Sequence, residues 1–229
     1  MNPAAPPTLR QRRKETRPQE LLDAALTLFV AKGFAATRSE EVARHAGVSK
    51  GTLYLYYPSK EELFKAVVRH NLSSLIAEGL EMMACFEGST SELLVGLMTT
   101  WWERIGNTPA AGIHKVVLAE VGNFPELAQF YTEEVIEPAH RLFSSTVQRG
   151  IDRGEFRALP VPEVAHTLMA PMIYHALHRH SFGACQLQPG PQLDMSAVLR
   201  TQLDITLHGL QVRQTPAAAK TPQKRPRCS

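Results

Sequence analysis

The stretch from Ser39 to Pro58, SEEVARHAGVSKGTLYLYYP, reads as two short helices around a tight turn. Gly47 ends the first helix, because glycine takes the left-handed cap conformation without a Cβ penalty. Ser49 opens the second, its hydroxyl placed to accept from N–H groups that the first helical turn leaves unpaired. Val42, Ala46, Val48, Leu53 and Tyr56 take the inward positions, and Ala43 is small where the helices cross. A second helix set at a steep angle by a short turn is a helix-turn-helix, whose second helix enters the major groove of double-stranded DNA.

Charge supports a DNA reader joined to something else. Residues 1–60 carry ten Lys/Arg against five Asp/Glu, residues 61–211 ten against seventeen, and residues 212–229 five against none. A basic module on an acidic body suits a DNA-binding unit attached to a domain that does not touch DNA. With 229 residues, 44% of them hydrophobic, the chain can bury a sizeable core. Cys85, Cys185 and Cys228 are odd in number and far apart, which argues against a disulfide framework and against structural zinc. No leader of charged-then-apolar type is present, and no apolar run approaches roughly 18 residues. The expectation is a cytoplasmic protein with no membrane partner.

Residues 1–15 hold Pro3, Pro6 and Pro7, then Arg10, Arg12, Arg13 and Lys14, and read as a disordered basic arm. Thr16 with Gln19 makes a capping box for a first helix, with Pro18 in its first turn. Leu21, Leu22, Ala25, Leu28 and Phe29 give that helix its apolar stripe, and Gly33 stops it. Thr37 with Glu40, and Ser59 with Glu62, make two more boxes. They open the reader and a helix running to about Met83. Residues 16–60 are thus the DNA-binding domain. Beyond Gly88 the period stays helical, with helices expected near 90–106, 110–121, 125–152, 162–182 and 193–210. Asn123 and Pro125 mark the start of the third of these. Pro138 and Pro171 should kink or break their helices. Gln186–Gln192 is a loop, and 212–229 a disordered basic tail. The fold class is all-α: a three-helix reader followed by a larger helical domain over 61–211, about nine helices together.

The segment from Arg17 to Val67, through LLDAALTLFVAKGF and VARHAGVSKGTLYLYYPSKEELF, closely resembles the N-terminal domain of the TetR/AcrR family of bacterial transcriptional regulators. The resemblance implies an all-helical homodimer, with helices one to three on DNA, a fourth as linker, and a variable body for effector binding and dimerisation. It also implies phosphate contacts from Thr37, Tyr56 and Lys60, and from Tyr54 in some relatives. Arg38 adds a charge where a phosphate would lie. Ser49, Lys50, Gly51, Thr52, Tyr54 and Leu55 stand at the start and on the first turns of the recognition helix, where side chains reach base edges. Leu55 can offer only apolar contact, such as a thymine methyl.

In the body, Met98, Trp101, Trp102, Phe130, Tyr131, Met169 and Met172 are the candidates for lining an apolar effector chamber. Trp101 and Trp102 point about 100° apart, so they cannot line one chamber equally. The last two helices, with Leu193, Val198, Leu199, Leu203, Leu207 and Leu210, should pair with their own copy. His175 and His178 share a face and His180 lies on another side, a spacing better suited to a surface or dimer-facing helix than to a metal site. No Gly-rich phosphate loop, G-x-S-x-G or paired metal motif points to an enzyme, a cofactor or a metal. The sequence leaves three regulators open: one released by a small ligand, one acting through protein partners, and one responding to metal through its histidines. Lys60→Ala should weaken binding to all DNA and lower the salt slope by about one unit, whereas changing Thr52 should alter operator preference. Salt titrations of binding to two unrelated duplexes separate the two effects.

Overall fold

The computed structural model of the chain describes residues 9–183 and 194–212, with side chains from Thr16 onward. The expected 186–192 loop, Leu193 and the tail beyond Val212 lie outside the described residues. Among those described, nine continuous helices follow one another. They are α1 (Leu9–Lys32), α2 (Ser39–His45) and α3 (Lys50–Tyr56), then α4, which runs as Lys60–Val68, a π-helical turn Arg69–Ser73, and Ser74–Cys85. Next come α5 (Thr90–Trp101 with a π-helical turn Trp102–Gly106) and α6 (a 3-10 turn Pro109–Ala111, then Gly112–Glu120). The series closes with α7 (Pro125–Tyr131, a π-helical turn Thr132–Ile136, and Glu137–Asp152), α8 (Val161–His180) and α9 (Met195–Leu210). One isolated bridge, Phe156 to Gln211, ties the α7–α8 link to the end of α9.

α1 begins at Leu9, ahead of the expected start at Thr16, so residues 9–15 are helical rather than disordered. The run LRQRRKETR is built almost wholly of good helix formers, and the helix propagates through Pro18 instead of starting beside it. Thr16 does not cap; its hydroxyl lies 3.4 Å from Glu20 Oε1, one turn on. The box expected from Thr37 and Glu40 also fails. Thr37 is buried and its hydroxyl donates to the Gly33 and Leu28 carbonyls, at 2.7 and 3.2 Å. Arg38 stands at the N-cap, its amide donating to Glu41 at 3.4 Å. Ser49 and Ser59 do cap as expected, accepting from the Thr52 and Glu62 amides at 3.1 Å each. At α7, Phe124 rather than Asn123 holds the N-cap, because its ring is drawn edge-on against Phe34, with centroids 5.0 Å apart. Neither Pro138 nor Pro171 breaks its helix. The first follows directly on a π-helical turn, where the hydrogen-bond ladder is already rewired.

One hydrophobic core runs from Leu21, Ala25 and Phe29 of α1 through Val42 and Leu53 of the reader and Leu63 and Phe64 of α4. It continues to Ile113, Val117 and Tyr131 of the body. A second core, with Leu94, Met98, Trp102, Val147, Leu168 and Leu203, fills the far end. The reader is therefore packed on the body as one piece, without a core of its own. Gly47 takes φ +66°, and a Cβ built there would meet nothing within 4 Å. Gly47→Ala should thus destabilise by backbone strain alone, about 1–2 kcal/mol, read as a lower denaturant midpoint with an unchanged m-value.

Candidate functional site

α3 presents its outer face to solvent. Leu55 is 85% exposed and Tyr54 39% exposed, with Gly51 and Lys50 beside them. A leucine so exposed has no packing role in the monomer, which is what a groove contact requires. Thr52 shares a hydrogen bond with Ser49 through their hydroxyls, at 2.9 Å, while Leu53 on the opposite face is fully buried. Lys50 is ion-paired with Glu40 on α2, an interaction that raises the lysine pKa and lowers that of the carboxylate. Arg38 is exposed, and Tyr56 packs partly against the core.

Two of the expected phosphate contacts are changed by their surroundings. Thr37 is withdrawn: its hydroxyl is spent on two carbonyls and its amide reaches the Phe34 carbonyl at 3.3 Å. Lys60 is anchored inward, its ammonium donating to the Phe34 and Ala35 carbonyls at 2.9 and 3.2 Å over the Phe34 ring. An ammonium has three N–H groups, so one remains for a phosphate.

The body holds a cavity of about 710 Å³ between α4, α5, α6, α7 and α8. Of the seven candidates named from the sequence, Trp101, Tyr131, Met169 and Met172 are on its wall. Met98, Trp102 and Phe130 are not. Met98 and Trp102 turn into the second core, following the divergence of the two tryptophans. Phe130 belongs to the first core, with Lys65 and Arg69 over its ring. Sequence reasoning missed Leu75, Val117, Val135 and, above all, His114. The available signal was the run IHKVVLAEV, where a histidine falls on the same helical face as Val117 and Val121.

His114 is buried between Tyr131, whose hydroxyl lies 2.6 Å from Nδ1, and Trp101, with ring centroids 6.2 Å apart. Its Nε2 is buried without a hydrogen-bond partner in the protein. Desolvation, helped by the neighbouring His180, pushes the imidazole down to about 4, so it is neutral at physiological pH. Burial also drives the Tyr131 phenol well above its ordinary range. One turn and a half further along α6, the Glu120 carboxylate accepts from the Ala35 amide at 3.0 Å. A single helix therefore touches the cavity and the corner that leads into the reader. Of the α8 histidines, His175 and His178 both lie against Tyr174, His178 also tilts against Phe182, and the His180 carbonyl accepts from Lys115. Among the described residues no three His, Cys, Asp or Glu side chains are grouped to hold a metal ion, and no helix is long and apolar enough to cross a membrane.

Residues 21–67 match the pattern of "Bacterial regulatory proteins, tetR family", and residues 87–183 that of "Tetracyclin repressor-like, C-terminal domain". The Bacillus subtilis HTH-type transcriptional regulator YfiR is 30% identical over 165 residues, covering 69% of this chain and 76% of that protein. The HTH-type transcriptional repressor KstR2 of Rhodococcus jostii is 28% identical over 198 residues, covering 86% and 92%. The fold also matches the fatty acid degradation regulator FadR of Bacillus halodurans, with a TM-score of 0.68 at 18% identity over 83% of this chain and 94% of that one.

Because the folded pKa of His114 lies below its unfolded value of 6.5, the unfolded chain binds the extra proton first as pH falls. Stability from this residue is complete above about pH 6.5 and is lost between there and about pH 4. It amounts to about 3 kcal/mol. Denaturation midpoints measured across this window should fall more steeply for the native protein than for His114→Phe; parallel curves would contradict the assignment.

Proposed function

This chain belongs to the TetR family of bacterial regulatory proteins, which are helix-turn-helix transcriptional regulators and not enzymes, and from that membership we propose a homodimeric repressor released by a small apolar or amphipathic ligand. The observation that carries the reading is α6, with His114, Val117 and Leu118 on the cavity wall and Glu120 on the Ala35 amide. A ligand that prefers one position of α6 biases the corner before α2, and with it the placing of the recognition helix. The change is a population shift, limited by the ligand's differential affinity for the two states. A difference of about 3 kcal/mol weakens the operator complex roughly 100-fold.

In this reading Lys50, Gly51, Thr52, Tyr54 and Leu55 meet base edges and Ser49 sets the start of their helix. Arg38, Tyr56 and the remaining N–H of Lys60 meet phosphates, which position the protein without reading sequence. The dimer is assigned to α8 and α9. Leu199, Leu203 and Leu210 of α9 pack into the chain's own core, whereas Ile205 of the same helix faces outward and is available to a second copy. Two recognition helices related by a twofold axis read a near-palindromic site. The cavity favours a ligand-released regulator over a filled body that serves protein partners alone. Selection of bound duplexes from a random pool should return a palindromic motif with half-sites about one helical turn apart. Recovery of no motif would refute sequence-specific reading.

A further inference from the structure

We propose that the cavity selects an uncharged, largely apolar molecule and rejects the carboxylate of the same skeleton. This rests on the reading of the cavity as the effector site and specifies what enters it. The first observation is the charge of the wall. Among the described residues lining the cavity there is no lysine and no arginine, so a buried anion meets no permanent cation; the bases on the wall are the histidines His114, His140 and His166. The wall carries one acidic side chain. Glu78 lies on the wall, ion-paired with Arg104, which is not among the lining residues, so the arginine's charge is already balanced and is not offered to a bound carboxylate.

The second observation is the engagement of the polar groups that remain. Thr100 and Thr132 are neutral, Tyr131 and His114 are bonded to each other, with that imidazole held neutral by burial, and His140 and His166 stack on one another with ring centroids 6.0 Å apart. Hydroxyls and a neutral imidazole can satisfy an uncharged oxygen but cannot balance a full charge withdrawn from water, which costs several kcal/mol when unpaired. The third is the rim. Met82, Leu118, Ile136 and Tyr174 belong to the cavity lining and are exposed large apolar side chains, so an apolar molecule finds continuous contact from the mouth inward.

A matched pair of probes tests this on the full-length protein. 2-Tridecanone and dodecanoate share one skeleton and differ by a methyl group in place of a carboxylate oxygen. Trp101 on the wall supplies the signal, as a change in tryptophan emission on titration at about pH 7.5. The ketone should bind at least about tenfold more tightly than the carboxylate. Glu78→Gln should improve dodecanoate binding and narrow the gap. Equal binding of the two probes, or tighter binding of dodecanoate, would overturn the proposal while leaving the cavity as an effector site. Binding of neither would overturn the proposal together with that reading. The ligand pair needs no variant, so the result stands even if Glu78→Gln folds poorly.

Discussion

The corner between α1 and α2 holds the molecule together. Phe34 is wholly buried there, and its ring meets Phe29 of α1, Phe64 of α4 and Phe124 ahead of α7, all with centroids between 5.0 and 5.6 Å. The backbone around it is tied from both sides. Lys60 donates to its carbonyls, and Glu120 accepts from the next amide. An aromatic cluster of this kind adds directional contact to area burial. The opposite charges on the two flanking side chains satisfy backbone groups that a buried turn leaves without helical partners. The reader's orientation is thus set by a knot to which α1, α4, α6 and the start of α7 all contribute.

The π-helical turns explain how long helices serve two masters. In α4 the first half sends Leu63, Phe64 and Val67 into the core shared with the reader, while the second half sends Gly79 and Met82 to the cavity. Between them, Arg69–Ser73 inserts extra backbone into the ladder and rotates the apolar face. The turns in α5 and α7 do the same, and Leu72, Ile105 and Val135, one from each turn, line the cavity. A straight helix would have kept one face throughout and could not have served both surfaces.

The reader was legible because its signals are local. A glycine that must adopt positive φ, serine caps, and apolar residues at fixed offsets identify it without reference to the remainder of the chain, and Ser49, Gly47 and Leu53 all behave as those signals require. Helix limits in the body were readable for the same reason. The start of α1 was misjudged because Pro18 suits a first turn and is also tolerated within a helix whose neighbours favour it. The cavity was only half legible. Periodicity says that a residue faces inward but not whether it meets another side chain or a hollow, so Met98 and Trp102 were indistinguishable from Trp101 and Met169 until α5 was placed against α8. Glu120 and Lys60 act across long stretches of chain, which no local pattern records.

The pairing of Lys50 with Glu40 bears on how the reader would meet DNA of arbitrary sequence. A lone lysine on the recognition helix would gain the full attraction of any phosphate that it passed. Here the ammonium exchanges one anionic partner for another, so its net gain on an arbitrary stretch of duplex is small. Contacts that ignore sequence supply a non-specific affinity that falls as salt rises and lets a protein slide along DNA. On the proposed reading, Glu40 is an internal counter-ion that a phosphate has to displace, so Lys50 adds less to sequence-independent affinity than an unpaired lysine would.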